Sequence, residues 1–160
     1  MRGDTLSIVL LATLALILVS AGIQDARTRE IANWKNAAIA LLAPFYWWAC
    51  GLAVWPDMAA QFGLALIVFA LFIATFQLGW MGGGDVKMIG ALALWLPLVP
   101  LVWMLIVMSL VGGALTAVVM IEHRLRRRTT PIEIPYGVAI AIAALFALRE
   151  PLFNHFGVNA

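Results

Sequence analysis

Apolar residues gather along this chain in long uninterrupted blocks, without the two-residue alternation of a half-buried strand or the one-sided stripe of a soluble helix. A helix crossing the hydrocarbon core needs about 20 mostly apolar residues. Blocks at 5–23, 58–78 and 100–121 reach that length with no charged residue inside them. A fourth block, 36–55, is also uncharged and is rich in aromatics at Tyr46, Trp47 and Trp48. Two further blocks, 86–98 and 135–148, are shorter. The pattern predicts an all-α membrane protein: a single-domain bundle of six transmembrane helices covering residues 1–160.

Charge placement tests this count. Basic residues cluster at Arg27, Arg29 and Lys35, at Lys87, and at Arg124, Arg126, Arg127 and Arg128. The connections around Asp57 and from Pro97 to Pro100 carry none. Six spans with an external N-terminus put all three basic clusters on the cytoplasmic side, as the positive-inside rule requires. Without a crossing at 86–98, the last cluster would fall on the side opposite the first. Charge therefore supports the short fourth span. The sequence Val19-Ser20-Ala21 has the small-residue character of a signal-peptidase site, but the block before it exceeds the usual 7–15 apolar residues of a signal peptide. The first helix is therefore expected to be retained.

Composition agrees. With 64% apolar and 11% charged residues, and a mean hydropathy of +1.01, the chain lies far from soluble proteins. A net charge of +2 gives no reason to expect nucleic acid as a partner. Cys50 is the single cysteine, which excludes an intrachain disulfide or a CxxC zinc site. His123 and His155 stand apart and form no HExxH-type ligand pair, so no metal or other cofactor is expected.

Ionisable groups near membrane depth cost about 2.5–3.5 kcal/mol or more, and so mark function. Two qualify here. Asp25 follows the first block in Gln24-Asp25-Ala26-Arg27, and Asp85 closes the run Gly79-Trp80-Met81-Gly82-Gly83-Gly84-Asp85 before Val86-Lys87. Both fall at the cytoplasmic face in the six-span topology, whereas Asp57 falls on the other. Consecutive glycines disfavour a helix by about 1 kcal/mol each and let the backbone approach a partner closely. Gly82, Gly83 and Gly84 are therefore expected to form an extended ledge that receives substrate backbone, with Asp85 somewhat deeper than Asp25. Lys87 is expected to anchor the helix at the interface, to lower the pKa of Asp85, or to meet an acidic group of a substrate. Two close carboxyls cannot both ionise easily. They share a proton, the ionised one activating water and the protonated one polarising a carbonyl.

These segments resemble the prepilin peptidases, membrane aspartyl peptidases of the GxGD type. Their GxxGxGD signature has its counterpart in Gly79-Trp80-Met81-Gly82-Gly83-Gly84-Asp85, and their first aspartate has its counterpart in the segment from Asp25 to Trp34. The stretch Ile134-Pro135-Tyr136-Gly137-Val138-Ala139 resembles the opening of the last helix in small members. The departure is Ala32, where small members often carry proline. The resemblance implies Asp25 and Asp85 as the catalytic pair. It implies a prepilin or pseudopilin substrate with a short basic leader before an apolar helix, cut at the cytoplasmic face of the bacterial inner membrane. The cysteine-bearing zinc region of larger, N-methylating members has no counterpart here. This implies the short peptidases of tight-adherence, Flp-type pili, with cleavage and no methylation. Two other readings of the same carboxyls are a presenilin-like intramembrane protease and a non-enzymatic pilus-assembly scaffold or small carrier. Against the first, Asp25 follows glutamine where that group has a YD pair, and no PAL triplet occurs late in the chain.

Overall fold

In the computed structural model, residues 2–125 and 134–156 are described, with side chains over 5–125 and 134–149. Arg126–Arg128 and Glu133 lie outside the described residues, as does the side chain of His155. The described residues form six helices and no strand: α1 (Arg2–Thr28), α2 (Asn33–Ala49), α3 (Ala59–Gln77), α4 (Gly83–Leu92), α5 (Leu98–Leu125) and α6 (Tyr136–Phe156). A loose helical turn, Val54–Met58, leads into α3 and contains the extended residue Trp55. Three segments are long and apolar enough to cross a membrane: Thr5–Thr28, Val54–Gln77 and Leu98–Leu125.

The packing order follows from which faces are apolar on more than one side. α6 packs against both α1 and α5, α1 against α2, and α4 fits between α2, α3 and α6. Leu11, Leu14 and Leu18 of α1, Ile140 and Leu148 of α6, and Met88, Ile89 and Leu92 of α4 are fully buried. By contrast, α3 and α5 expose large residues such as Leu71, Phe76, Val102 and Leu110 outward. An outward apolar face is what a lipid-facing helix carries.

Three boundaries differ from those expected. α2 stops at Ala49, since Gly51 takes a positive φ of 73° and turns the chain, so the block 36–55 is not one helix. α6 runs beyond 148.

The largest difference is at α4, which has ten residues and ends at Leu92 where an apolar run to 98 was expected. Ten residues span about 15 Å, half a hydrocarbon core. Its exit carbonyls are met by side chains from neighbouring helices. The Gln61 amide donates to Ala93 and Leu96 carbonyls (both 2.8 Å), and the Trp47 indole donates to Leu94 O (2.7 Å). Trp95 in turn donates its indole N–H to Ile39 O at 2.8 Å. Non-helical backbone at membrane depth persists only with such protein partners. The short helix therefore rests on two neighbouring helices.

Candidate active site

Asp25 occupies the last full turn of α1. The helix ends just beyond it because Arg29 adopts the left-handed conformation (φ 58°), and its N–H returns to Asp25 O at 2.9 Å. The carboxyl of Asp25 points at the start of α6. Val138 donates its backbone N–H to Asp25 Oδ2 at 3.2 Å, and the Gly137 amide faces the same carboxyl. Helix N-termini hold anions well, through orphan N–H groups and the aligned peptide dipoles. Asp25 thus caps a helix other than its own, and it is only 4% exposed.

Gly137 makes this approach possible. A Cβ there would lie 2.9 Å from Asp25 Cγ and Oδ2, and 2.8 Å from Ile31 Cδ1. No L side chain fits without moving the carboxyl. The sequence reading had treated Gly137 as part of a helix opening and had not assigned it this role. A glycine in the first turn of a helix, just after Pro135-Tyr136, was the available signal.

Asp85 sits in the first turn of α4. The glycine run is mostly helical, which corrects the expected ledge. Gly82 is extended (φ −68°, ψ 145°) as the N-cap, and the helix begins at Gly83. Asp85 reaches back to the Gly82 backbone N–H, the returning half of a capping box. A Cβ on Gly82 would stand 3.1 Å from Asp85 Oδ2. Gly84 packs against Ile31, where a Cβ would come within 3.3 Å of Ile31 Cβ, and its carbonyl accepts from Asn36 Nδ2 at 3.1 Å. Thus α1's exit loop and α2 both grip the backbone that presents Asp85.

The two carboxyls line one polar cavity of about 870 Å³, together with Arg29, Trp80, Met81 and Tyr136. Asp85, which precedes the apolar run of α4, has its carboxyl pushed up to about 7. Burial is the main cause, and the nearby Asp25 charge adds to it against the Gly82 hydrogen bond. Asp25 shows the less exposed surface and Asp85 is half-buried, yet burial dominates at Asp85, as expected for the carboxyl that follows the glycine run. Lys87 points elsewhere: its Nζ donates to Asn33 Oδ1 at 2.8 Å, and it lines a separate groove. Lys35, a member of the first basic cluster, is 5% exposed and donates to Ser20 O and Oγ at 2.8 and 2.7 Å. It therefore ties α2 to α1. Asp57 lies in the turn that leads into α3, where it accepts from the Ala53 N–H at 3.2 Å. Among the described residues no group of His, Cys, Asp or Glu could hold a metal ion.

Two carboxyls on one polar cavity, Asp85 of them held toward its acid form, can move protons to and from a bound water. Three helices of the bundle that carries them are long and apolar enough to cross a membrane. The sequence profile of the type IV leader peptidase family matches residues 12–117, well over half of the chain and including both aspartates. The chain belongs to that family, and with it to the leader-peptidase type of protease. No match was found among curated proteins or among solved structures.

Proposed function

We propose that this chain is an aspartic endopeptidase of the inner membrane that removes the short leader of type IV, Flp-like prepilins or pseudopilins at the cytoplasmic face. The observation that carries the reading is the shared cavity, in which Asp25 is held by an α6 N-terminus while Asp85 is poised to keep a proton. All six helices cross or enter the bilayer with the N-terminus outside, so both carboxyls face the cytoplasm. Cleavage proceeds without a metal and without methylation of the new N-terminus.

In this mechanism a water lies between the carboxyls. Asp25 takes its proton as the oxygen attacks the scissile carbonyl carbon. Asp85 gives its proton to the carbonyl oxygen, which becomes a hydroxyl of the tetrahedral intermediate. On collapse the C–N bond breaks, Asp25 passes its proton to the leaving amine, and Asp85 recovers its own from the hydroxyl. The amides of Gly137 and Val138 favour the carboxylate form of Asp25 against the cost of its burial.

The test is reconstitution in liposomes with a prepilin and mass-spectrometric detection of the shortened pilin. Asp25→Asn and Asp85→Asn are each expected to lower cleavage by about 10³-fold or more, as loss of an essential acid or base does. Cleavage at the wild-type rate in either variant would remove the assignment.

A further inference from the structure

Beside the carboxyl cavity lies a second hollow, apolar and about 440 Å³, between α2, α3 and α4. Each helix contributes one stripe at helical spacing: Asn36 and Ala40 from α2, Ala65 and Phe69 from α3, Gly90 and Leu94 from α4 and its exit turn. The stripes extend over 33–40, 62–69 and 87–94, about 10 Å of helix, or two turns. We propose that this groove seats the first two turns of the substrate's apolar segment, immediately after the scissile bond. The inference rests on the leader-peptidase reading above and extends it to where the substrate helix lies.

Three observations select that occupant. First, the groove is continuous with the carboxyl cavity: Asn33 lines both. Only the first turn of α4 separates them, with Gly84 and Asp85 on the cavity side and Lys87 on the groove side. A chain cut at the aspartates can pass over that turn, between Asn33 and Lys87, and descend directly. Second, the groove has one polar end and one apolar end. Asn33, Asn36 and Lys87 mark the start near the cavity, and Leu94 and Phe62 mark the far end. This matches a peptide that enters from water and continues into lipid. Third, Asn36 is 5% exposed, donates to Gly84 O, and leaves its Oδ1 without a hydrogen-bond partner. A buried acceptor in that state is costly, and a backbone N–H of an entering segment, not yet paired within its own helix, would satisfy it. The small residues Ala40, Ala65 and Gly90 let a helix approach closely, the usual way helices meet in lipid, and seating an apolar helical face in a groove is a common recognition mode.

The test uses the full chain in liposomes as Asp85→Asn, which retains substrate. A photo-crosslinking benzoylphenylalanine is placed at position 40 or 66 on the groove, and at 41 on the opposite face of α2 or 103 on α5 as controls. Substrate adducts are expected from 40 and 66, mapping to the first two turns of the apolar segment, with lipid adducts alone from 41 and 103. Ala40→Trp fills the groove and is expected to raise KM about tenfold for the full precursor, with a much smaller rise for a peptide ending just past the scissile bond. Substrate adducts from 103 and none from 40 or 66 would overturn the proposal, as would lipid adducts alone from the groove. An equal KM penalty on both substrates would do the same. If the wild type cleaves prepilin and these results are negative, the groove assignment alone falls. If it cleaves none, the protease reading falls and this one with it.

Discussion

Gly137→Ala is the sharpest perturbation of the site, because the change is one methyl group and its neighbours are known. The added Cβ would stand 2.9 Å from both Cγ and Oδ2 of Asp25, inside van der Waals contact by the better part of an ångström. The helix itself gains: alanine is favoured over glycine by about 1 kcal/mol inside a helix. Any loss must therefore come from the clashes, of which that with the carboxyl bears on catalysis. Moving it breaks the hydrogen bond from Val138, now 3.2 Å, which as a bond to a charged group is worth about 1.5–3 kcal/mol. A displacement of about 1 Å at a reacting group costs on the order of 10²-fold in rate. The expectation is a kcat about 100-fold below wild type on reconstituted prepilin, with helical circular dichroism retained and the thermal midpoint only slightly lowered. The same Cβ meets Ile31 Cδ1 at 2.8 Å, so a second variant separates the two clashes. Adding Ile31→Val removes that methyl and is expected to leave the defect in place. A folded Gly137→Ala enzyme within threefold of wild type would refute the reasoning, and rescue by Ile31→Val would shift it from Asp25 to Ile31.

Further expectations follow from other contacts. Asp85 has a folded pKa of about 7 against 3.8 for a free carboxyl, so the folded state binds more protons than the unfolded state between those values. Stability should fall as pH rises from about 4 through 7. Asp85→Asn should flatten that dependence in thermal scans at pH 5 and 8, and wild-type cleavage should decline above about pH 7 as the shared proton is lost. Gln61→Leu removes both donors to the Ala93 and Leu96 carbonyls, and should cost about 2–4 kcal/mol in detergent unfolding experiments. Gly90→Ala would put a Cβ 2.5 Å from Phe69 Cδ2 and should destabilise by about 1–3 kcal/mol, with recovery on adding Phe69→Leu.

How far the sequence could be read depended on whether a feature is local. Helix order and the nearness of Asp25 and Asp85 to helix ends were legible, because apolar blocks and charge clusters are properties of adjacent residues. The two carboxyls do lie on one cavity, although the sequence could place them only on one side of a membrane. The end of α4 was not legible. Residues 93–98 are as apolar as the helix before them, and what stops it is Gln61 and Trp47, distant in sequence, meeting its carbonyls. Nor could glycine propensity foresee that Gly83 and Gly84 would be helical: packing of Gly84 against Ile31 and the Asn36 hydrogen bond override it. Of the three roles open to Lys87, the one beside Asp85 is not the one it takes, and its partner Asn33 is a near neighbour only in space.

Each carboxyl faces a glycine: Gly82 beside Asp85, and Gly137 beside Asp25. In those two directions the carboxyls meet main chain, which offers amides and carbonyls but no side chain, and Arg29, Trp80, Met81 and Tyr136 line the rest of the cavity. On the proposed function, part of the enzyme's selectivity would then be written at a distance, in the length between a charged leader and an apolar body. Redirecting it to a new target would mean changing that spacing, because a side chain at Gly137 displaces Asp25 and one at Gly82 crowds Asp85.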